Sequence, residues 1–382
     1  MKRLFVILFV VTLTLALAGC APATTGGDDT IKIGLQAPLT GDYAQEGQGF
    51  KKAVDLLVEQ TNAAGGINGK KVVFIAEDDK GDPKEAALIA DRLVSQKVIA
   101  VIGGYNSTAT EPASAVFNAA GVVQITPGST ATRLSEHGYN QFFRTCFLDD
   151  RQAVFAADFL VKEMGYKTIA VLHDNSTYAQ GLAESTKSSL EALGVPPVFY
   201  DAINPDDTDF SPTLTKLKDL NPEAIYFTGY YAQGGLLLKQ AKALGMTSQW
   251  TGGNAMNNTD LIKIAGVENA KGFFTTTEPL PGDLPYPEAK QFLADYKAKY
   301  NEDPASVFTV LAADAYRVIK YAIEQTKSTD PKVLAEYMHK EIKDLPGISG
   351  PILGFDEKGD RNGTIHKAYI IDDAGNFVPY VK

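Results

Sequence analysis

A chain of 382 residues is long enough for two domains of ordinary size. Its hydrophobic content of 45% is typical of a globular protein and excludes a polytopic membrane protein. The net charge of −10 and the absence of a long basic stretch exclude nucleic acid as an expected partner.

The N-terminus has the composition of an export signal. A basic pair at positions 2 and 3 precedes an apolar run over residues 4–17, which is too short to span a bilayer comfortably. The run ends in L-A-G-C, which resembles the bacterial lipobox and implies that Cys20 is lipidated. We interpret residues 1–19 as a lipoprotein signal peptide and residues 20–30 as the lipidated cysteine with a flexible tether. An ordinary signal peptide followed by a chance cysteine is the alternative.

This interpretation places the protein in the bacterial cell envelope, outside the cytoplasmic membrane. It would be attached through the lipid alone, in the periplasm or at the cell surface. With Cys20 lipidated, Cys146 is the one remaining cysteine, so no intramolecular disulfide is expected. We interpret Cys146 as a small buried residue at the end of a strand.

Strands and helices alternate from residue 31 onwards. The first run has predicted strands at 31–37, 71–76, 98–102, 122–126 and 141–145, and helices at 46–64, from 82, and at about 109–120 with Pro112 in the first turn. The second run has helices at 150–164, 178–193, 211–220 and 233–244, and strands at 168–173, 198–202, 224–228 and 249–251. Two such runs predict an α/β protein with two doubly wound parallel-sheet lobes.

The remaining third is less regular. It contains a predicted strand at 272–276, a Pro-rich crossing loop at 279–285, helices at 286–300, 305–326 and 331–343, and antiparallel strands with turns at 356–359 and 373–375. The antiparallel tail is expected to complete the sheets.

Two similar turns follow the third and fourth strands. The first delivers Asn106 and Ser107 to the start of a helix, and the second contains Gly128, Ser129 and Thr130. Free amides, the positive end of a helix dipole and hydroxyls bind anions, and without Arg or Lys they suit a carboxylate better than a multiply charged phosphate. The alternative is that the hydroxyls only cap helices.

Tyrosines follow other strands at positions that should face a cleft between the lobes. They are Tyr43, Tyr105, Tyr178 and Tyr230. A tyrosine ring packs on aliphatic groups, offers a hydroxyl and faces an ammonium group well. Packing at the surface is the alternative for each.

Enzyme motifs are missing from the sequence. It has no G-x-S-x-G and no P-loop, and the G-Q-G at 47–49 lacks the third glycine of a dinucleotide loop. The four histidines are far apart, and the acidic pairs are interpreted as turn residues. We therefore expect neither catalysis, nor a cofactor, nor a metal.

Taken together, the residues resemble the periplasmic branched-chain amino-acid binding proteins, the leucine/isoleucine/valine receptors of ABC importers. The motifs that carry the resemblance include I-K-I-G-L-Q-A-P-L-T-G-D at 31–42, G-G-Y-N-S-T-A-T-E-P-A-S at 103–114, H-D-N-S-T-Y-A-Q-G-L at 173–182 and G-P-I-L-G-F-D-E-K-G-D at 350–360. The resemblance extends from residue 31 to about 377. It implies the type I periplasmic-binding-protein fold, in which three crossings form a hinge between two discontinuous lobes. Lobe one would be residues 31–148 plus 279–357, and lobe two residues 149–278 plus 358–382.

The resemblance also implies a ligand site. The family's carboxylate site maps onto Ser107 and onto Ser129 and Thr130, with the neighbouring residues of both turns, Tyr105, Asn106 and Gly128, beside it. Its ammonium site maps onto Tyr178, Tyr230 and a position where the family has an acidic residue and this chain has Asn254. Asn254 cannot neutralise an ammonium group. Glu46, at the lip of lobe one, is a less certain source of charge, and Tyr43 is a less certain contact.

The implied function is that of a monomeric solute receptor that closes on a small amino acid, branched-chain or aromatic, and delivers it to the transmembrane subunits of an ABC permease. Because of Asn254, an aromatic carboxylate or a small amide is the alternative ligand. A ligand-sensing partner for a signalling receptor is the alternative role, and an enzyme is a third option.

Overall fold

The structure, a computed structural model, describes residues 30–382. The predicted signal peptide, Cys20 and nearly all of the tether lie outside the described residues. The predicted fold class is confirmed, since two separate sheets are each packed against helices. Within residues 30–382, no helix is long and apolar enough to cross a membrane.

The first sheet has five parallel strands in the order β2-β1-β3-β4-β5. Its strands and the helices between them are β1 Thr30–Ala37, α1 Ala44–Ala63, β2 Lys71–Asp78, α2 Pro83–Ser95, β3 Ala100–Ile102, α3 Ser107–Ala120, β4 Val123–Thr126 and β5 Phe142–Arg144. β3, β4 and β5 are buried along their whole length, as expected for strands covered by helices on both faces.

The second sheet has seven strands in the order β12-β11-β10-β9-β8-β6-β7. Its strands up to β10 and the helices between them are α4 Asp149–Asp158, β6 Ile169–His173, α5 Thr177–Ala192, β7 Phe199–Ala202, α6 Ser211–Leu220, β8 Ala224–Thr228, α7 Tyr231–Ala243, β9 Gln249–Gly252, α8 Thr259–Ala265, α9 Val267–Ala270 and β10 Phe274–Thr277. Helix α4 continues as a π-helical turn over Phe159–Glu163. The strands from β6 to β10 pair in parallel.

The C-terminal third is divided between the two sheets. Helices α10 Pro287–Tyr300, α11 Val307–Thr326 and α12 Pro331–Lys340 return to the first sheet, where α10 and α11 pack against α1. The last strands, β11 Lys367–Ile371 and β12 Phe377–Pro379, join the second sheet in antiparallel pairing. The chain therefore passes between the sheets three times, after β5, after β10 and before β11. We call the layers around the first and second sheets lobe one and lobe two.

Several element boundaries differ from the sequence-based predictions. Asn106 has extended dihedrals and is the N-cap of α3, so the helix begins at Ser107 and not near Ala109. Pro112 consequently lies inside the helix and not in its first turn. Helices α8 and α9 were not predicted, because seven and four residues are too few to show a periodic pattern.

Candidate functional site

Residues that follow strand ends of the two lobes meet at a common interface. The ring of Tyr43, after β1, lies 4.8 Å from the ring of Tyr230, which follows β8. The ring of Tyr105, after β3, lies 5.6 Å from Tyr230 as well. Open α/β sheets bind ligands beyond the carboxyl ends of their strands. The interface between the lobes is therefore the candidate ligand site.

Ser107 and Thr130 are the two predicted hydroxyl residues that retain hydrogen-bonding capacity at this interface. Both are 1% exposed. Thr130 Oγ1 has no hydrogen-bond partner among the described residues, and Ser107 Oγ accepts one long bond, 3.4 Å, from the Ala131 amide. The first amides of α3 have no partner within the helix, and the helix dipole favours negative charge there. These groups together can bind one carboxylate.

Ser129 and Gly128 position this half of the site. Ser129 Oγ shares a 2.6 Å hydrogen bond with Thr110 Oγ1 and donates to the Tyr105 carbonyl at 3.1 Å. These bonds connect the turn after β4 to the turn after β3 and to the start of α3. A Cβ atom on Gly128 would lie 2.7 Å from the Tyr105 ring. Both residues thus hold Tyr105 in place, and the Ser129 hydroxyl is used by these hydrogen bonds within lobe one.

Gly103 allows the turn after β3 to approach β1. Its φ of +141° lies outside the range that L-residues favour, and a Cβ atom there would lie 2.1 Å from the Gln36 carbonyl oxygen. A residue with a side chain cannot occupy this position unless β1 moves. This close approach of the turn to β1 helps to position Ser107, the first residue of α3, at the interface between the lobes.

The middle of the interface is aromatic. The Tyr178 ring lies 5.3 Å from Tyr230, and the Tyr105 ring lies 5.5 Å from Phe308 of α11. Burial raises the pKa of Tyr105, Tyr178 and Tyr230 well above its usual value, so these hydroxyls stay protonated and neutral. Neutral aromatic walls suit a hydrocarbon side chain and leave the polar groups of the two lobes to fix the orientation of a ligand.

Asn254 lies on the lobe-two side of the interface, at the start of a 3₁₀ turn after β9, and is 1% exposed. Its Oδ1 accepts a hydrogen bond from the Tyr178 hydroxyl at 3.2 Å. Its Nδ2 donates to Glu278 Oε2 at 3.3 Å. Tyr178, Asn254 and Glu278 therefore form one hydrogen-bonded chain that ends on a buried carboxylate.

Two acidic residues near Tyr178 and Asn254 were missed as site residues by the sequence analysis. Asp149 and Glu278 are each 1% exposed and sit at the first and second passages between the lobes. Both oxygens of Asp149 and Oε1 of Glu278 have no hydrogen-bond partner among the described residues. The signal available in the sequence was their position at the predicted crossings, beside a cleft that a hinge must border.

Burial raises the pKa of Asp149 to about 8, while the neighbouring Thr130 hydroxyl and the Arg144 guanidinium oppose that rise. The negative charge of Asp149 in turn contributes to the raised pKa of Tyr178 and Tyr230. Asp149 is thus close both to Thr130, in the predicted carboxylate site, and to Tyr178 and Tyr230, in the predicted ammonium site.

Glu46 lies buried between the lobes, at 1% exposure, and not at an open lip. Its Oε1 accepts a 2.7 Å hydrogen bond from Asn258 Nδ2 of lobe two, and its Oε2 accepts a 2.6 Å bond from Ser306 Oγ of lobe one. Burial raises the pKa of Glu46 to about 7. Both oxygens are thus occupied by a bridge between the lobes, which leaves Glu46 a weak source of charge for a ligand.

Tyr43 and Asn106 border the mouth of the cleft. They line, with Tyr230, a cavity of about 620 Å³ whose walls come from both lobes. Asn106 Oδ1 is buried and has no hydrogen-bond partner among the described residues. Across residues 30–382, no group of three or more His, Cys, Asp or Glu side chains could hold a metal ion.

The chain belongs to the periplasmic binding protein family, whose profile matches residues 30–372. Its relatives in this family are solute-binding proteins of transporters and not enzymes. It is 36% identical over 346 residues to a leucine-, isoleucine-, valine-, threonine- and alanine-binding protein of Pseudomonas aeruginosa, with 91% of each chain covered.

Two solved structures share the fold closely. A leucine-binding protein from Thermotoga maritima has a TM-score of 0.86 at 30% identity and covers 92% of this chain and 98% of its own. A branched-chain amino-acid transporter substrate-binding protein from Streptococcus pneumoniae, solved in complex with isoleucine, has a TM-score of 0.82 at 32% identity. That match covers 91% of this chain and 97% of the other.

Proposed function

We infer that the protein is a lipid-anchored extracytoplasmic receptor of an ABC importer, which binds a small amino acid between its lobes and delivers it to a permease. The observation that carries this function is the pairing of a carboxylate-binding turn of lobe one, Ser107 with Thr130, and a polar chain of lobe two, Tyr178 with Asn254, at one buried aromatic interface. Branched-chain amino acids are the first expected ligands, because relatives with those named specificities cover nearly the whole chain.

The ligand would be enclosed by hinge closure. We assign lobe one to residues 31–148 plus 279–357 and lobe two to residues 149–278 plus 358–382, so that the three passages of the chain act as the hinge. Hydrogen bonds between the lobes, such as that from the Thr177 amide to Thr108 Oγ1 at 3.0 Å, would break if the lobes moved apart. A ligand that touches both lobes shifts the population toward this arrangement.

One observation supports a second class of ligand. Asn254 is neutral, and an aromatic carboxylate or a small amide needs no opposite charge at that position. The two possibilities differ in whether the ligand's amino group contributes to affinity.

Thermal-shift measurements on the purified full-length protein test the function. Leucine, isoleucine, valine and phenylalanine are compared with benzoate and 4-methylpentanamide, neither of which has an amino group, and a rise in the melting temperature with at least one of the four amino acids is expected. If none of them raises it, the amino-acid function is wrong, and a shift with benzoate or 4-methylpentanamide in their place would favour the second class.

A double variant locates the site. Ser107→Ala combined with Thr130→Ala should abolish binding and leave the fold intact, because it removes both hydroxyls from the carboxylate end. Ser114→Ala is the matched control, since it deletes a buried hydroxyl of α3 that bonds to the Glu111 carbonyl. Retained affinity in the double variant would place the site elsewhere.

Anchoring and delivery need separate measurements. Cys20→Ala should move the protein from the membrane fraction to the soluble fraction, and an unchanged distribution would contradict lipidation at this residue. Loss of the protein should reduce cellular uptake of the ligand that stabilises it. Unchanged uptake together with a lost ligand response would instead support the sensing role.

A further inference from the structure

Two buried carboxylates lie where the chain passes between the lobes. Asp149 begins α4 and Glu278 follows β10, and the negative charge of each raises the pKa of the Cys146 thiol. Among residues 30–382, neither carboxylate forms an ion pair with a Lys or Arg side chain, in contrast to Asp360, which lies 2.5 Å from Arg144. Burying an unpaired carboxylate is expensive, so such a group either takes up a proton or is ionised when a cation binds beside it.

The nearby guanidinium groups are occupied elsewhere. Arg144 donates to the carbonyls of Ser129 and Ala131 and pairs with Asp360. Arg361 donates to the Thr145 carbonyl, to Ser349 Oγ and to two further carbonyls. Neither guanidinium therefore pairs with Asp149 or Glu278, so a cationic partner for these carboxylates would have to come from a ligand.

We propose that Asp149 and Glu278 form the cation-binding half of the ligand site and receive the ammonium group of an amino acid whose carboxylate is held by Ser107 and Thr130. Asn254 then acts as a positioning residue, because its Nδ2 fixes Glu278 Oε2 and leaves Oε1 for the ligand. The charge missing at Asn254 is thus supplied from the hinge. This inference rests on the proposed function and narrows its ligand class to zwitterionic amino acids.

The geometry of the backbone supports this assignment. The Asp149 amide donates to the Thr130 carbonyl at 3.1 Å, so the cationic and carboxylate halves are joined by one hydrogen bond. A free amino acid presents its two charged groups on one carbon atom, and its binding site has to place their partners side by side. Because Asp149 is adjacent to Thr130, a residue at the first passage between the lobes can contribute to the ligand site.

Protonation supports the assignment as well. Arg144 faces Asp149 with positive charge, and Glu278, Asp150, Tyr178, Tyr226 and Tyr230 surround it with negative or neutral groups. With its pKa raised to about 8, Asp149 carries a proton at neutral pH when no cation is present. An arriving ammonium group favours the carboxylate and displaces that proton.

The test compares L-leucine with 4-methylpentanoate, the same molecule without its amino group, by isothermal titration calorimetry at pH 8.5. Asp149→Asn and Glu278→Gln in the full-length protein should each weaken leucine binding at least tenfold and change 4-methylpentanoate binding less than threefold. Asp150→Asn, which removes the adjacent, exposed carboxylate, should change neither. Equal losses for both ligands in the Asp149 and Glu278 variants, or no loss for leucine, would overturn the inference.

A measurement on the wild type keeps the inference testable if a variant fails to fold. At pH 7, titrations in buffers of different ionisation enthalpy should show proton release with leucine and none with 4-methylpentanoate. Equal proton release with both ligands, or none with leucine, contradicts the inference. If the wild type binds 4-methylpentanoate as tightly as leucine, the inference fails and a carboxylate receptor remains. If no amino acid binds, the proposed function itself fails.

Discussion

Asn258 Nδ2 donates a 2.7 Å hydrogen bond to Glu46 Oε1 and so joins lobe two to lobe one. The bond is buried, and its acceptor is a carboxyl group. Ser306 supports Glu46 from the side of lobe one, which keeps the acceptor in place. Because the bond joins the lobes, its free energy contributes to closure and not to the folding of either lobe.

Asn258→Ser is therefore expected to weaken ligand binding about 5- to 20-fold at pH 8.5, where Glu46 is ionised. A hydrogen bond to a charged group contributes roughly 1.5–3 kcal/mol, and the variant removes part of this contribution from closure. Serine keeps the acceptor that caps α8 through the Asp260 amide. Titration calorimetry gives the affinity, and small-angle scattering reports the fraction of closed protein.

Thr259→Ala is the control for this prediction. It removes a second bond between the lobes, from Gln45 Nε2 to Thr259 Oγ1, but that bond is exposed to solvent. Its loss should change affinity less than twofold. An effect of Thr259→Ala as large as that of Asn258→Ser would show that burial of the Glu46 bond does not matter.

Asp79 predicts a pH dependence of stability. It is 1% exposed and accepts hydrogen bonds from Gln36 Nε2 and the Gly81 amide, and burial raises its pKa to about 6. The folded state therefore binds a proton more tightly than the unfolded chain, whose pKa is near 4. The contribution of Asp79 to stability is largest below pH 4 and falls as the pH rises to about 6.

Asp79→Asn should remove this part of the pH dependence. The Gln36 amide can reverse, because its Oε1 has no other hydrogen-bond partner among the described residues, and it then accepts from the new side chain. Between pH 4 and 7, the melting temperature of the variant should fall less steeply than that of the wild type. Parallel curves for the two proteins would contradict the raised pKa of Asp79.

Gly103 and Gly121 provide a matched pair for backbone geometry. Both have positive φ, but a Cβ atom on Gly103 would lie 2.1 Å from the Gln36 carbonyl oxygen, while one on Gly121 meets no atom within 4 Å. Gly121→Ala should cost about 1 kcal/mol, and Gly103→Ala roughly 3 kcal/mol or more. Denaturant unfolding measures both, and equal costs would show that the approach to β1 is not tight.

Much of the fold was predictable because its signals are local. Buried parallel strands appear as short apolar runs. The start of α2 was predicted from Asp82 and Pro83, and the structure confirms the cap hydrogen bonds that Asp82 accepts.

Part of the candidate site was predictable as well, because the predicted elements place Ser107, Thr130 and Tyr178 at the ends of strands or the starts of helices. What the sequence could not give was which hydroxyls remain unbonded. Ser129 and Thr130 are neighbours of similar type, yet the hydroxyl of Ser129 alone is used by Thr110 and Tyr105.

The residues missed by the sequence analysis share one property. Asp149 and Glu278 appear as ordinary charged residues at element ends, and their burial arises only when the passages between the lobes pack together. Glu46 shows the same effect, because its partner Asn258 is distant in sequence. Burial of charge by tertiary packing has no periodic signature, which is why Glu46, and neither Asp149 nor Glu278, was the predicted source of charge in the cleft.

Asn254→Asp combines these observations in one variant. An aspartate there would place a second carboxylate within about 3.3 Å of Glu278 Oε2 and remove the donor that now stabilises it. Repulsion between like charges should lower the melting temperature of the ligand-free protein above about pH 6, and the Tyr178 hydroxyl alone cannot compensate for it.

Leucine should then raise the melting temperature of the variant more than that of the wild type, because its ammonium group would relieve the repulsion. The deaminated analogue, 4-methylpentanoate, brings no positive charge and should give no extra stabilisation. Equal stabilisation by the two ligands would show that Asn254 and Glu278 do not face the amino end of the ligand, whereas unequal stabilisation requires a cation between them.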